Sequence, residues 1–168
     1  GQLDWRLRND PRVRSLEGTH VSELAPAMLV PAPDLAVVDV SFIGLSKVLP
    51  HLARIGSIRE AIVLVKPNFE LEPARVGKGG IVRDPQACSD AIERVRSAAR
   101  ASGFQPSEAL ESPLRGSKGN REFLLRLERR QAAAETQERC AMAEIEGRDL
   151  ILFTDEFKIK GRVRMTEN

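Results

Sequence analysis

The period of the apolar positions changes several times along the chain, and each change marks an element. Residues 36–45, AVVDVSFIGL, start as a continuous, mostly β-branched apolar run and break at Asp39 and Ser41. Residues 61–69, AIVLVKPNF, repeat that grammar, with Lys66 where the apolar stretch stops. Such runs read as buried parallel strands with polar groups at their carboxyl ends. Between them Leu45, Val48, Leu49 and Leu52 fall at i, i+3, i+4 and i+7, which predicts an amphipathic helix. Residues 35–65 therefore read as a strand–helix–strand crossover, right-handed by the general rule.

The same reading extends in both directions. Residues 2–8 read as the end of a helix, stopped at Asn9-Asp10-Pro11, and residues 13–16 as a short strand. Residues 19–24 read as loop or one helical turn, and Pro26, Pro31 and Pro33 break the chain before the strand at Leu35. Residues 70–81 read as a polar loop with Gly77, Gly79 and Gly80. Asp84-Pro85 is an N-cap followed by proline at the first helical position. It opens a helix whose buried stripe is Cys88, Ile92, Val95 and Ala99, and Gly103 closes it. Residues 104–110 form a weak strand, 113–120 a loop and 122–127 a strand. Alanine, glutamate and arginine in 128–146 favour helix. Residues 149–165 predict a hairpin turning at Asp155-Glu156, in which Phe157, Ile159, Val163 and Met165 alternate with Lys158, Lys160, Arg162 and Arg164. The fold class is α/β.

Composition narrows the function classes without choosing one. A chain of 168 residues, 42% hydrophobic and 30% charged, suffices for one domain with a core. A net charge of +2 requires any anion-binding patch to be local. No apolar run approaches the ~20 residues that cross a bilayer as a helix, and no signal peptide is visible, so no membrane association is expected. Cys88 and Cys140 lie far apart and outside metal-type spacing, and His20 and His51 lack partners at ligand spacing. No metal site is expected, and a reducing cytoplasm fits best.

Open α/β sheets bind ligands beyond the carboxyl ends of their strands. Asp39 and Lys66 stand at two such ends, so a carboxylate and an amine reach one rim. Each also has a purely structural reading: Asp39 as an acid capping a neighbouring helix, Lys66 as a solvated lysine before Pro67.

At VVDVSFI, LVKPNFE, VGKGGIVRDP and GSKGNREFLL the chain resembles the hemolysin A (TlyA) family of RNA methyltransferases with an FtsJ-like catalytic domain. The four motifs occur in order and the likeness covers residues 1 to about 127. It implies a Rossmann-like methyltransferase sheet, S-adenosylmethionine as methyl donor and a ribose 2′-hydroxyl of ribosomal RNA as acceptor. Family enzymes use a Lys–Asp–Lys–Glu tetrad. Carried over by motif, Asp39 matches the acid, Lys66 the second lysine and Glu122 the glutamate. Asp39, Ser41 and Phe42 are then expected at the donor, and Lys78, Arg83, Arg115, Lys118 and Arg121 at RNA phosphates, which position RNA without reading sequence. A ribose hydroxyl is a poor nucleophile, and a neutral lysine can take its proton. Lys66 is expected to be that base or its electrostatic helper, with Asp39 and Glu122 orienting lysine and ribose.

The chain also departs from the family pattern. The glycine-rich donor loop, the first lysine of the tetrad and the S4-like RNA-binding domain have no counterpart here. The family sheet runs 3-2-1-4-5-7-6, and this chain supplies strands 3 to 7, so the sheet is expected to be incomplete in its N-terminal half. Residues 13–16 would then lack a partner, and the Leu35 strand would present a bare apolar edge, covered by a missing N-terminal segment or a second copy. Residues 1–127 are expected to form a partial methyltransferase domain, inactive alone. Residues 128–168 are expected to add a helical linker and a β-hairpin that opens a further small β unit. Two rivals stand beside catalysis: a non-catalytic RNA-binding or remnant module, and a Rossmann-like enzyme that does not act on RNA. Donor binding and salt-dependent RNA binding separate them.

Overall fold

The computed structural model describes residues 3–130, 149–154 and 158–164. The chain opens with a short helix α1 (Trp5–Arg8), N-capped by the Asp4 side chain, then β1 (Leu16–His20) and two single 3-10 turns. The crossover follows as its periodicity predicts: β2 (Leu35–Val38), α2 (Leu45–Ala53), β3 (Glu60–Val65). Leu45, Val48, Leu49 and Leu52 are the buried face of α2. Next come α3 (Pro67–Glu70) and the long α4 (Pro85–Ala101), whose N-cap Asp84 accepts from the Gln86 N–H. Gly103, at φ 84°, turns the chain out of α4. The last elements are β4 (Phe104–Pro106), β5 (Leu110–Glu111), β6 (Phe123–Arg129), β7 (Asp149–Thr154) and β8 (Lys158–Arg164).

All eight strands form one sheet in the order β1-β8-β7-β2-β3-β6-β4, with β5 on β6. β2 is parallel to both β3 and β7, while β6 runs antiparallel to β3. The core is aliphatic: Leu35, Leu49, Leu52, Ile58, Leu125 and Leu127 are essentially inaccessible. Arg129 fastens one end of it. Its guanidinium donates to the carbonyls of Ile58, Ala53 and Ile55 at 2.6, 3.2 and 3.0 Å and lies over the Phe104 ring. Burial holds that guanidinium below its ordinary pKa.

The structure corrects two expectations about the sheet. The β2 edge is not bare, because Leu35–Val38 pairs in parallel with residues 150–153 of β7. The early strand is not without a partner either. It forms over Leu16–His20 rather than 13–16 and pairs with β8. The β7–β8 hairpin lies in the main sheet, in the two places that the family order gives to strands 2 and 1. The continuous apolar run 150–153 suits a strand inside the sheet, and Ile151 and Phe153 are buried there. The predicted weak strand at 104–110 is two short strands, because Pro106 donates no ladder bond. The expected helix in 128–146 falls largely outside the described residues, and so do the hairpin turn at Asp155-Glu156, Phe157 and Met165.

Candidate active site

Two parallel strands that end side by side place the residues after them on one rim. Val38 is opposite Val63, so Asp39 and Lys66 leave the sheet at nearly the same level. The Asp39 N–H donates to Phe153 O at 2.6 Å, which fixes its backbone at the end of β7. Lys66 Nζ lies 2.7 Å from Asp39 Oδ1 and donates to Ser41 Oγ at 3.2 Å. The lysine side chain is 13% exposed and the aspartate 48%, so the pair offers its carboxylate to an incoming group. Phe42 follows with a left-handed backbone at φ 65° and an 80% exposed ring, 5.2 Å from the Phe69 ring.

β6 brings the third motif. Its antiparallel register sets Val65 against Phe123, so Glu122 stands next along the ladder from Lys66. The Glu122 side chain lies against Gly116, where an added Cβ would fall 2.0 Å from Oε1. That glycine is fixed by its N–H donating to Asn120 O at 2.9 Å. The structure thus gathers Asp39, Ser41 and Lys66 into direct contact and puts Glu122 on the same rim.

The five expected RNA-contacting cations lie on two loops tied to one another. Gly77 and Ile81 form a β-bridge, and a side chain at Gly77 would meet Ile81 O at 2.7 Å. The buried Asn120 side chain accepts from the Val82 N–H at 3.0 Å and donates to Gly80 O at 2.8 Å, locking this loop to residues 116–120. Lys118, left-handed at φ 62°, reaches back to 3.9 Å from the Cβ position of Gly80. Lys78 and Arg83 are exposed and have no ion pair among the described residues. Arg121 is engaged: both its Nε and its Nη2 bond Glu111, and it lies over the Phe123 ring. Arg115 shares Glu111 at 3.3 Å. Of the five, Lys78, Arg83 and Lys118 are the cations without a carboxylate partner among the described residues.

Sequence reasoning missed Glu70 and Asn120, the two buried polar residues among those described. Residues 70–81 read as a polar loop, yet Glu70 ends a helical turn and is 5% exposed. Its Oε1 accepts from the Leu45 N–H at 2.8 Å, and burial pushes its carboxyl up to about 7 against the opposing pull of that N–H and of Arg94. Proline directly after Lys66 was the available signal, since proline suits the first helical position. Among the described residues no group of three metal-type side chains occurs, and no helix is long and apolar enough to cross a membrane.

The parallel strands, the crossover helix and the acid–lysine pair on adjoining strand ends are those of an α/β fold of the methyltransferase type. A family model described as FtsJ-like methyltransferase matches residues 1–129, and the chain belongs to that family. It is 44% identical over 126 residues to the 16S/23S rRNA (cytidine-2′-O)-methyltransferase TlyA of Mycobacterium tuberculosis, covering 74% of this chain and 47% of the relative. It is 35% identical over 125 residues to Hemolysin A of Brachyspira hyodysenteriae, covering 73% and 52%. A Streptococcus thermophilus structure that carries a hemolysin name superposes with a TM-score of 0.72 at 38% identity, covering 77% of this chain and 47% of that one. The chain thus spans about half the length of the curated relatives it matches.

Proposed function

We propose that this chain supplies the acceptor side of an S-adenosylmethionine-dependent methyltransferase that modifies a ribose 2′-hydroxyl of ribosomal RNA in the cytoplasm. The observation that carries the reading is the Lys66–Asp39 ion pair, 2.7 Å long, on the carboxyl rim of two parallel strands. Lys66 acts at the ribose oxygen, as base or as electrostatic helper. Asp39 and Glu122 hold lysine and ribose in register. Methylation of the ribose hydroxyl requires its proton to go to a base, and Lys66 is the side chain assigned to receive it. Lys78, Arg83 and Lys118 hold RNA phosphates beside the rim, with Arg115 and Arg121 at the edge of that surface.

S-adenosylmethionine, when bound, supplies an electrophilic methyl group on sulfur. The residues present fit one wall of its site. Asp39 is half exposed, Ser41 offers a hydroxyl, and the Phe42 ring is a flat apolar surface open to solvent. The glycine-rich opposite wall has no counterpart among the described residues: residues 39–44 after β2 carry one glycine, Gly44. We infer that the 168-residue chain by itself transfers no methyl group.

A second reading has its own support. The β7–β8 hairpin holds the two sheet positions that the family order gives to strands 1 and 2, which favours an RNA-binding module or remnant without donor chemistry. Calorimetry with S-adenosylmethionine, together with RNA binding across a salt series, separates the readings. Donor binding that weakens in Asp39→Ala supports the methyltransferase side. Salt-dependent RNA binding without donor binding supports the module, and neither activity overturns both.

A further inference from the structure

A single carboxylate joins the two corners of the rim from behind. Glu70 is the last residue of α3, one turn after Lys66. Its Oε1 accepts from the backbone N–H of Leu45, the first residue of α2, one of the donors that a helix start leaves without an intrahelical partner. Its Oε2 is buried and has no hydrogen-bond partner among the described residues. The corners also approach closely: a Cβ at Gly44 would lie 3.1 Å from Glu70 Oε2 and 3.4 Å from Phe69 O. Between Asp39 and Gly44 the chain makes a tight excursion through Phe42 at φ 65°, a conformation that a bulky side chain keeps only when its surroundings hold it. An isolated buried carboxyl is expensive unless it does something for its neighbours.

We propose that Glu70 is a positioning residue: by gripping the Leu45 N–H it anchors the 39–44 loop to the Lys66 corner and so keeps Lys66 on Asp39 and Ser41. The inference rests on the reading of Asp39 and Lys66 as the reacting corner, and the test reads their geometry rather than methyl transfer. Charged neighbours leave this role to Glu70. Arg94 of α4 is the cation that Glu70 feels through space, and its guanidinium is paired with Glu72 at 3.2 Å.

The experiment is competitive amine labelling of the full chain with trace acetic anhydride, scoring Lys66 against the exposed Lys78 and Lys118 in the same molecule. Wild type should label Lys66 several-fold less than the exposed pair. Glu70→Ala should raise Lys66 labelling several-fold toward theirs, and Glu70→Gln, which keeps an acceptor for the Leu45 N–H, should restore protection. Leu125→Ala, a core variant on β6 away from this contact, controls for loss of stability and should leave Lys66 protected. If Glu70→Ala does not fold, Glu70→Asp retains the carboxyl group but shortens the reach and should expose Lys66 likewise. Unchanged Lys66 labelling in the Ala or Asp variant overturns the proposal. Failure of Gln to rescue overturns it too, as does equal exposure in Leu125→Ala. An enzyme that contains this segment, shows these labelling changes and yet never methylates RNA leaves the latch standing and removes the proposed function.

Discussion

Replacing Glu70 by glutamine should remove a pH dependence from folding. The carboxyl is 5% exposed, and burial raises it from 4.5 to about 7. Because the folded pKa lies above the unfolded one, the unfolded chain releases this proton first. The contribution to stability is fully present below about pH 4.5 and is lost as pH rises through about 7. The rise from 4.5 to about 7, at ~1.36 kcal/mol per pH unit, amounts to about 3 kcal/mol. Glutamine does not titrate, so the other groups of the chain cancel when the two proteins are compared at each pH. Urea unfolding followed by far-UV circular dichroism at pH 5 and pH 8 measures the difference. The stability of wild type relative to Glu70→Gln should fall by about 2 to 3 kcal/mol from pH 5 to pH 8. A difference that stays flat would mean that Glu70 is hydrated or paired, and the buried-carboxyl argument would fail.

Gly116→Ala should push Glu122 off its place, since the new Cβ falls 2.0 Å from Oε1. The far end of a glutamate moves cheaply, so unfolding should change by less than about 1 kcal/mol while methyl transfer by a chain that includes this segment drops. Lys78→Ala and Arg83→Ala should weaken RNA binding for all sequences alike, each reducing the slope of log K against log salt by about 1, measured by filter binding. Arg129→Met should lower stability by about 3 kcal/mol in urea titration, because three carbonyls lose a charged donor while the aliphatic packing is kept.

The crossover was legible in the sequence because its signals are local. Four leucine or valine positions at helical spacing fixed α2, and a run of β-branched residues broken by an acid fixed the end of β2. The shared rim of Asp39 and Lys66 followed from the rule that adjoining parallel strands end side by side, and the structure adds the 2.7 Å contact between them. What was not legible depends on contacts distant in sequence. The hairpin partner of β2 comes more than a hundred residues later, and alternation alone cannot say which edge a strand will join. Glu70 looked like loop because a glutamate after an apolar stretch is ordinarily solvated. Only the unpaired N–H at the start of α2 explains why it turns inward. Asn120 was hidden for the same reason, its two partners lying 38 and 40 residues upstream.

The central claim is that the Asp39–Lys66 corner serves methyl transfer to a ribose oxygen. The most direct measurement takes an enzyme that contains this segment and donor carrying a labelled methyl group. Ribosomal RNA is incubated with it and then hydrolysed in alkali. A 2′-O-methyl ribose blocks cleavage of the adjacent phosphodiester, so the label should survive in alkali-stable dinucleotides. Lys66→Ala should abolish that label while binding the donor nearly as well as wild type. Label recovered on a base, or near-normal labelling of ribose by Lys66→Ala, would contradict the account.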